Sequence, residues 1–245
     1  MKKLMMLLAL GATVALMPSV SKATIVGSAH DFYTGSTTNL LWANGVTGLI
    51  GKTANVCGEC HDIHKAPNPA NGPLWVHAPS ATLSYLTYDQ AGSETFNALG
   101  LTVSLGTSSK ACLSCHDGTV GINQQLKLGM DDTTTATTSF LGSTNSTAVI
   151  MPAGFYPVVN HNDLTHTHPI GISYVAARTA LNTENPSFAE LNDPTATYFK
   201  DGGPLIQSQL KGLGKTQMEC STCHDIHNTR TMPRGQDLCT SCHNK

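Results

Sequence analysis

Cys57-Gly58-Glu59-Cys60-His61, Cys112-Leu113-Ser114-Cys115-His116, Cys220-Ser221-Thr222-Cys223-His224 and Cys239-Thr240-Ser241-Cys242-His243 use all 8 cysteines of the chain. In each stretch two cysteines are separated by two residues and followed at once by histidine. This is the attachment sequence of c-type haem. The spacing follows from the chemistry: two thiols add to the two vinyl groups on one edge of the porphyrin, and the next His lies beneath the ring to bind iron as proximal ligand. The pattern therefore implies four c-type haems. Cys57, Cys60, Cys112, Cys115, Cys220, Cys223, Cys239 and Cys242 hold the porphyrins, and His61, His116, His224 and His243 are the proximal iron ligands. Zinc ribbons share the paired cysteines but need no His after each pair. Thioredoxin-like pairs occur once, in a βαβ context that is missing here. A disulfide framework has no use for this spacing.

Of the 11 histidines, seven remain after the proximal set: His30, His64, His77, His161, His166, His168 and His227. Four irons take at most four distal ligands, so the supply suffices for bis-histidine ligation throughout. His64 and His227 each follow a proximal His by three residues in the repeated phrase Cys-His-Asp-Ile-His. A short helical turn at the motif would point the later His away from its own haem and toward an adjacent one. His168 precedes Pro169, which favours an extended backbone. His77 follows the apolar stretch Pro73-Leu74-Trp75-Val76, suited to a porphyrin face. These four rank first as distal ligands, then His30, giving five candidates for four places. His161 and His166 sit in a polar loop and are expected to be solvated. Met130, Met151, Met218 and Met232 are the alternatives for His/Met ligation, disfavoured by the excess of His.

Met1-Lys2-Lys3, an uncharged run from Leu4 to Met17 and Ser21-Lys22-Ala23 have the basic start, short apolar centre and small-x-Ala end of a secretory signal peptide. Residues 1–23 are expected to be removed, leaving a single cytochrome domain over 24–245. The run is too short to span a bilayer, and no later segment is apolar enough to do so. Without Lys2, Lys3 and Lys22 the chain keeps 11 Lys and Arg against 16 Asp and Glu, a formal charge of −5. An acidic chain argues against nucleic acid as a partner.

The composition is rich in Gly, with 22, and poor in aromatics, at 6%. It predicts mostly irregular loops with a few short helices and little strand, wrapped around a stacked haem chain that supplies much of the apolar interior. Ile170, Tyr174, Ala177 and Leu181 recur at helical spacing and predict one amphipathic helix, ended near Asn182 and Pro186. Leu205 and Gln209 predict another, stopped near Gly212 and Gly214. Segments 101–105 and 147–150 read as short strands. The last two motifs begin 19 residues apart, so their haems are expected to be neighbours.

Cys57 to His64, Pro73-Leu74-Trp75, Cys112 to Val120, His168-Pro169-Ile170-Gly171 and the two closing motifs resemble the multihaem cytochromes of metal-reducing bacteria. Their order, number and spacing are similar to the extracellular tetrahaem nanowire cytochromes of the OmcE type from Geobacter. The resemblance covers about His30 to the C-terminus. It implies a secreted electron carrier rather than an enzyme. In that family subunits polymerise head to tail, with one His ligating iron in the neighbouring copy; His64 is the first candidate for that role and His30 the second. Implied partners are other copies of the chain, periplasmic or outer-membrane cytochromes, and extracellular metal oxides. The alternatives are a periplasmic monomeric electron shuttle and, further off, a haem oxidoreductase with an open iron site.

Overall fold

Short helices carry the second, third and fourth motifs, and the segments between them supply the packing. The computed structural model describes residues 25, 30, 60–61, 74–75, 77, 79–80, 84–117, 124–125, 139–140, 162–200, 203–227 and 237–244. The signal segment 1–23, Cys57, His64, His161, Met130, Met151, Met232 and the strand expected at 147–150 lie outside the described residues. In chain order the elements are α1 (Glu94–Ala98), α2 (Thr107–His116), β1 (Gln124–Gln125), β2 (Ser139–Phe140), β3 (Ile172–Ser173), α3 (Tyr174–Glu184), α4 (Ile206–Gln209), β4 (Gln217–Met218), α5 (Cys220–Cys223) and α6 (Leu238–Cys242). Both pairs of strands, β1 with β2 and β3 with β4, are antiparallel and two residues long. Among the described residues no helix is long and apolar enough to cross a membrane.

The helix expected from Ile170 onward starts four residues later. Gly171 explains the delay. Its φ is +73°, and a Cβ there would lie 3.0 Å from the backbone of Ser104 and Leu105. The Ser104 N–H donates to the Gly171 carbonyl at 2.7 Å, and the Gly171 N–H donates to the Met218 carbonyl at 2.7 Å. The chain is thus held extended through β3 before Ser173 caps α3, accepting from the Ala176 N–H at 3.2 Å. Asn185 and Pro186 close α3. Gly171→Ala combines a left-handed backbone with a backbone clash, and is expected to destabilise the fold by about 1–3 kcal/mol. A lowered midpoint in chemical denaturation of the variant checks this.

The strand expected at 101–105 does not form. This segment meets the rest of the chain through single bonds, Ser104 to Gly171 and the Val103 N–H to Asp89 Oδ2 at 3.0 Å, and has no ladder to join. The second expected helix is the single turn α4, and the left-handed glycines Gly212 and Gly214 turn the chain back toward β4.

The described residues bury more side chain than the composition suggests. One cluster joins Phe96, Ile172, Tyr174, Ala177, Leu191, Phe199, Ile206, Leu210, Met218 and Cys242, with Cys223 and Leu238 packed against it. A second joins Leu113 of α2 to Leu164, with Tyr85, Leu105 and Ile170 alongside. Each large apolar side chain so buried contributes about 1.5–3 kcal/mol. Motif residues belong to both clusters, so three of the attachment helices are built into the packed interior. Met218, one of the alternative ligands, is part of this apolar core.

Candidate functional site

The second and third motifs sit on α2 and α5, which pack directly on each other. Small residues permit the approach: Ser109, Ser114 and Thr222 are fully buried. The Cys220 N–H donates to Ser109 Oγ at 3.1 Å, and the Ser221 hydroxyl donates to Ser108 Oγ at 2.9 Å. Cys112 and Cys220, the first cysteines of their motifs, hydrogen-bond through their side chains; that bond and burial hold the Cys112 thiol well above its ordinary range. Motifs that begin 108 residues apart in sequence are therefore side by side. Motif four is also close, since Cys223 and Cys242 meet at the main core.

Motif four is held by residues the sequence pattern does not single out. The Tyr174 hydroxyl lies 3.0 Å from the Asn192 carbonyl and 3.1 Å from the Cys242 carbonyl. The Asn192 N–H donates to the Cys242 carbonyl at 2.9 Å, and its side-chain amide donates to the Ser241 carbonyl at 2.9 Å. The Ser241 and Cys242 carbonyls at the end of α6, which have no partner within the helix, are thereby satisfied. At the end of α2 the Asp117 N–H donates to the Leu113 carbonyl at 3.1 Å, and the fully buried Asp117 carboxylate accepts from the hydroxyls of Ser80 and, at 2.7 Å, Tyr85.

At the first motif, Leu74 turns the chain in the left-handed region, φ 61°. Trp75 then forms a backbone bridge to His61, with its ring 5.9 Å away and edge-on. His77 follows, buried, with Nε2 3.4 Å from Cys115 Sγ. His77, a sequence candidate for distal ligation, is thus brought to the second motif. His166 is largely exposed, its Nε2 3.5 Å from Asp163.

Three of the four proximal histidines each face a second histidine. His61 and His227 have ring centres 6.2 Å apart and nearly parallel planes, at 22°. His116 and His30 are 6.0 Å apart. His243 and His168 are 6.2 Å apart at 70°. Two imidazoles on opposite faces of one iron have centres about 6 Å apart, because each Fe–N bond is about 2 Å and each ring centre lies about 1 Å behind its nitrogen. The pairing uses His227, His30 and His168 of the five distal candidates. Of the other two, His77 lies at Cys115 of the second motif and His64 lies outside the described residues.

The protonation states suit ligation. Burial, with His116 and His224 nearby, lowers His30 to about 4, so its ring is neutral at pH 7 and keeps a lone pair for metal. His168 Nδ1 is 3.0 Å from the Pro169 carbonyl. A carbonyl only accepts, so Nδ1 carries the proton and Nε2 is left for iron. Burial pushes the Cys115 and Cys242 thiols up to about 12. Among the described residues no three His, Cys, Asp or Glu side chains converge to hold a metal ion, and no cysteine forms a disulfide.

The buried indole Nε1 of Trp75 has no hydrogen-bond partner among the described residues. An orphaned donor beside His61 is costly unless an acceptor arrives, and a haem propionate has the right chemistry. On the paired imidazoles and this donor, the residues fit the cofactor that their spacing implies. No family model matches the chain, and no match is found among curated proteins.

Proposed function

We propose that the chain is a tetrahaem electron conduit in which paired histidine side chains would hold the irons. One observation carries this reading: three motif histidines each face a second imidazole at 6.0–6.2 Å, the separation that trans ligation of one iron requires. When bound, the haems supply reversible one-electron exchange. The chain's own residues do the rest. The cysteine pairs of α2, α5 and α6 would fix three of the rings to short helices, and the α2–α5 contact fixes two helices relative to one another. His227, His30 and His168 close iron positions that a substrate would otherwise enter. Histidine rather than Met at those positions favours low potential.

By resemblance, the conduit is a subunit of an exported filament that carries respiratory electrons to extracellular acceptors such as metal oxides. His30 faces His116 of its own chain, which suits donation in cis and leaves His64 as the donor to a neighbouring copy. A head-to-tail contact of this kind is open and generates fibres.

Two measurements test the proposal. The ferric spectrum is expected to be wholly low-spin and unchanged by nitrite; a high-spin fraction that binds nitrite would favour an oxidoreductase. Electron microscopy of protein from the culture medium is expected to show filaments. Dispersed particles in the periplasmic fraction would favour the monomeric shuttle.

A further inference from the structure

The two packed motif helices meet at Glu219. This side chain is only 2% exposed. It sits immediately before α5, and its backbone N–H donates to Thr222 Oγ1 at 3.0 Å. Its Oε1 reaches across to α2 and accepts from the Gly106 N–H at 2.8 Å. The fit is close, since a Cβ on Gly106 would lie 2.6 Å from Oε1. One carboxylate therefore caps the start of α2 while leading into α5.

Its second oxygen is the unusual one. Oε2 is buried with no hydrogen-bond partner among the described residues. A buried carboxylate oxygen without a partner favours the protonated form. Burial accordingly raises the Glu219 pKa, opposed by bonds from Ser109 and Gly106 and by the Lys110 ammonium. The ionisable groups facing it are Lys110 and Cys112 of α2 and Cys220 of α5. α4, also packed on α5, has no titratable side chain. With Cys112 and Cys220 converted to thioethers, Lys110 is the charge set against Glu219 among these groups.

We propose that Glu219 is a redox-linked proton site, taking one proton from water at Oε2 when the haem pair of the second and third motifs gains one electron and releasing it when that electron leaves. This rests on the haem reading above. The electron comes from a neighbouring reduced haem or an external one-electron donor, and the proton from solvent, so charge and atoms balance in both directions. Adding negative charge beside the carboxylate raises its proton affinity. By linkage, protonating Glu219 makes the pair easier to reduce. Lys110 lies at the solvent end of this site, on the exposed side of α2.

The test is spectroelectrochemical titration of the full, haem-loaded protein across pH. In the native chain two of the four midpoint potentials are expected to fall as pH rises through one window. Glu219→Gln keeps an oxygen for the Gly106 N–H but cannot ionise, and is expected to make both flat. Lys110→Met, an exposed change that does not depend on the buried cap, is expected to move the window to higher pH. A flat native profile, a dependence that survives in E219Q, or a window unmoved in K110M would overturn the proposal. Haem content measured on the same samples separates the two readings. Protein with no haem has no potentials and sinks the conduit itself, whereas four haems with pH-independent potentials sink only Glu219.

Discussion

Replacing His227 with Ala is expected to turn one of the four haems high-spin and leave the others low-spin. His227 is exposed on the turn after α5, its N–H donating to Asp225 Oδ1 at 3.1 Å, and its ring stacks 6.2 Å from that of His61. Surface substitutions away from caps and cores cost within about 0.5 kcal/mol, so the fold should be untouched while one axial position opens. Ferric optical and electron paramagnetic resonance spectra read the change directly, and added imidazole should reverse it. His227→Met is expected instead to keep the haem low-spin and raise its potential, because a thioether ligand disfavours the ferric state. Four unchanged low-spin signals in the Ala variant would remove His227 from the ligand set.

The largest effect on stability is expected from Tyr174→Ala. Tyr174 is 2% exposed, lies in the main core, and reaches the carbonyls of Asn192 and Cys242 with its hydroxyl. Truncating a buried aromatic to Ala typically costs about 3–5 kcal/mol. Tyr174→Phe separates the two contributions: it keeps the ring and removes only the hydroxyl, for an expected loss of about 1 kcal/mol. Chemical denaturation of the haem-loaded variants measures both. Equal losses in the two would show that the hydroxyl, not the packing, holds the fourth motif in place.

These two residues mark the limits of reading the chain as a string. His227 was legible because it follows His224 by three positions in a phrase that repeats at His61 and His64, and the structure places it on the turn just past α5. Tyr174 was legible as one position of an apolar stripe, but its hydroxyl acts on carbonyls near residues 192 and 242, and no local pattern reports a partner so distant. The same holds for Asn192, which satisfies a helix end, and for Asp117, whose carboxylate takes the hydroxyls of Ser80 and Tyr85. Glu219 left a weak trace, an acid directly before a motif with Thr222 three residues on. The unfilled oxygen appears only once α2 is packed beside it. Segment 101–105 had strand-like residues, yet β structure requires a neighbouring edge, and Gly171 offers it a single bond. Neighbouring motifs were expected from short separation in sequence, whereas α2 reaches α5 through serines that carry no periodic signal.

Intact mass spectrometry of the protein, made in a host with cytochrome maturation machinery, tests the central claim most directly. The account predicts the mass of the polypeptide plus four haems, retained under denaturing conditions because the thioether links are covalent. A colourless product at the mass of the bare polypeptide would contradict it.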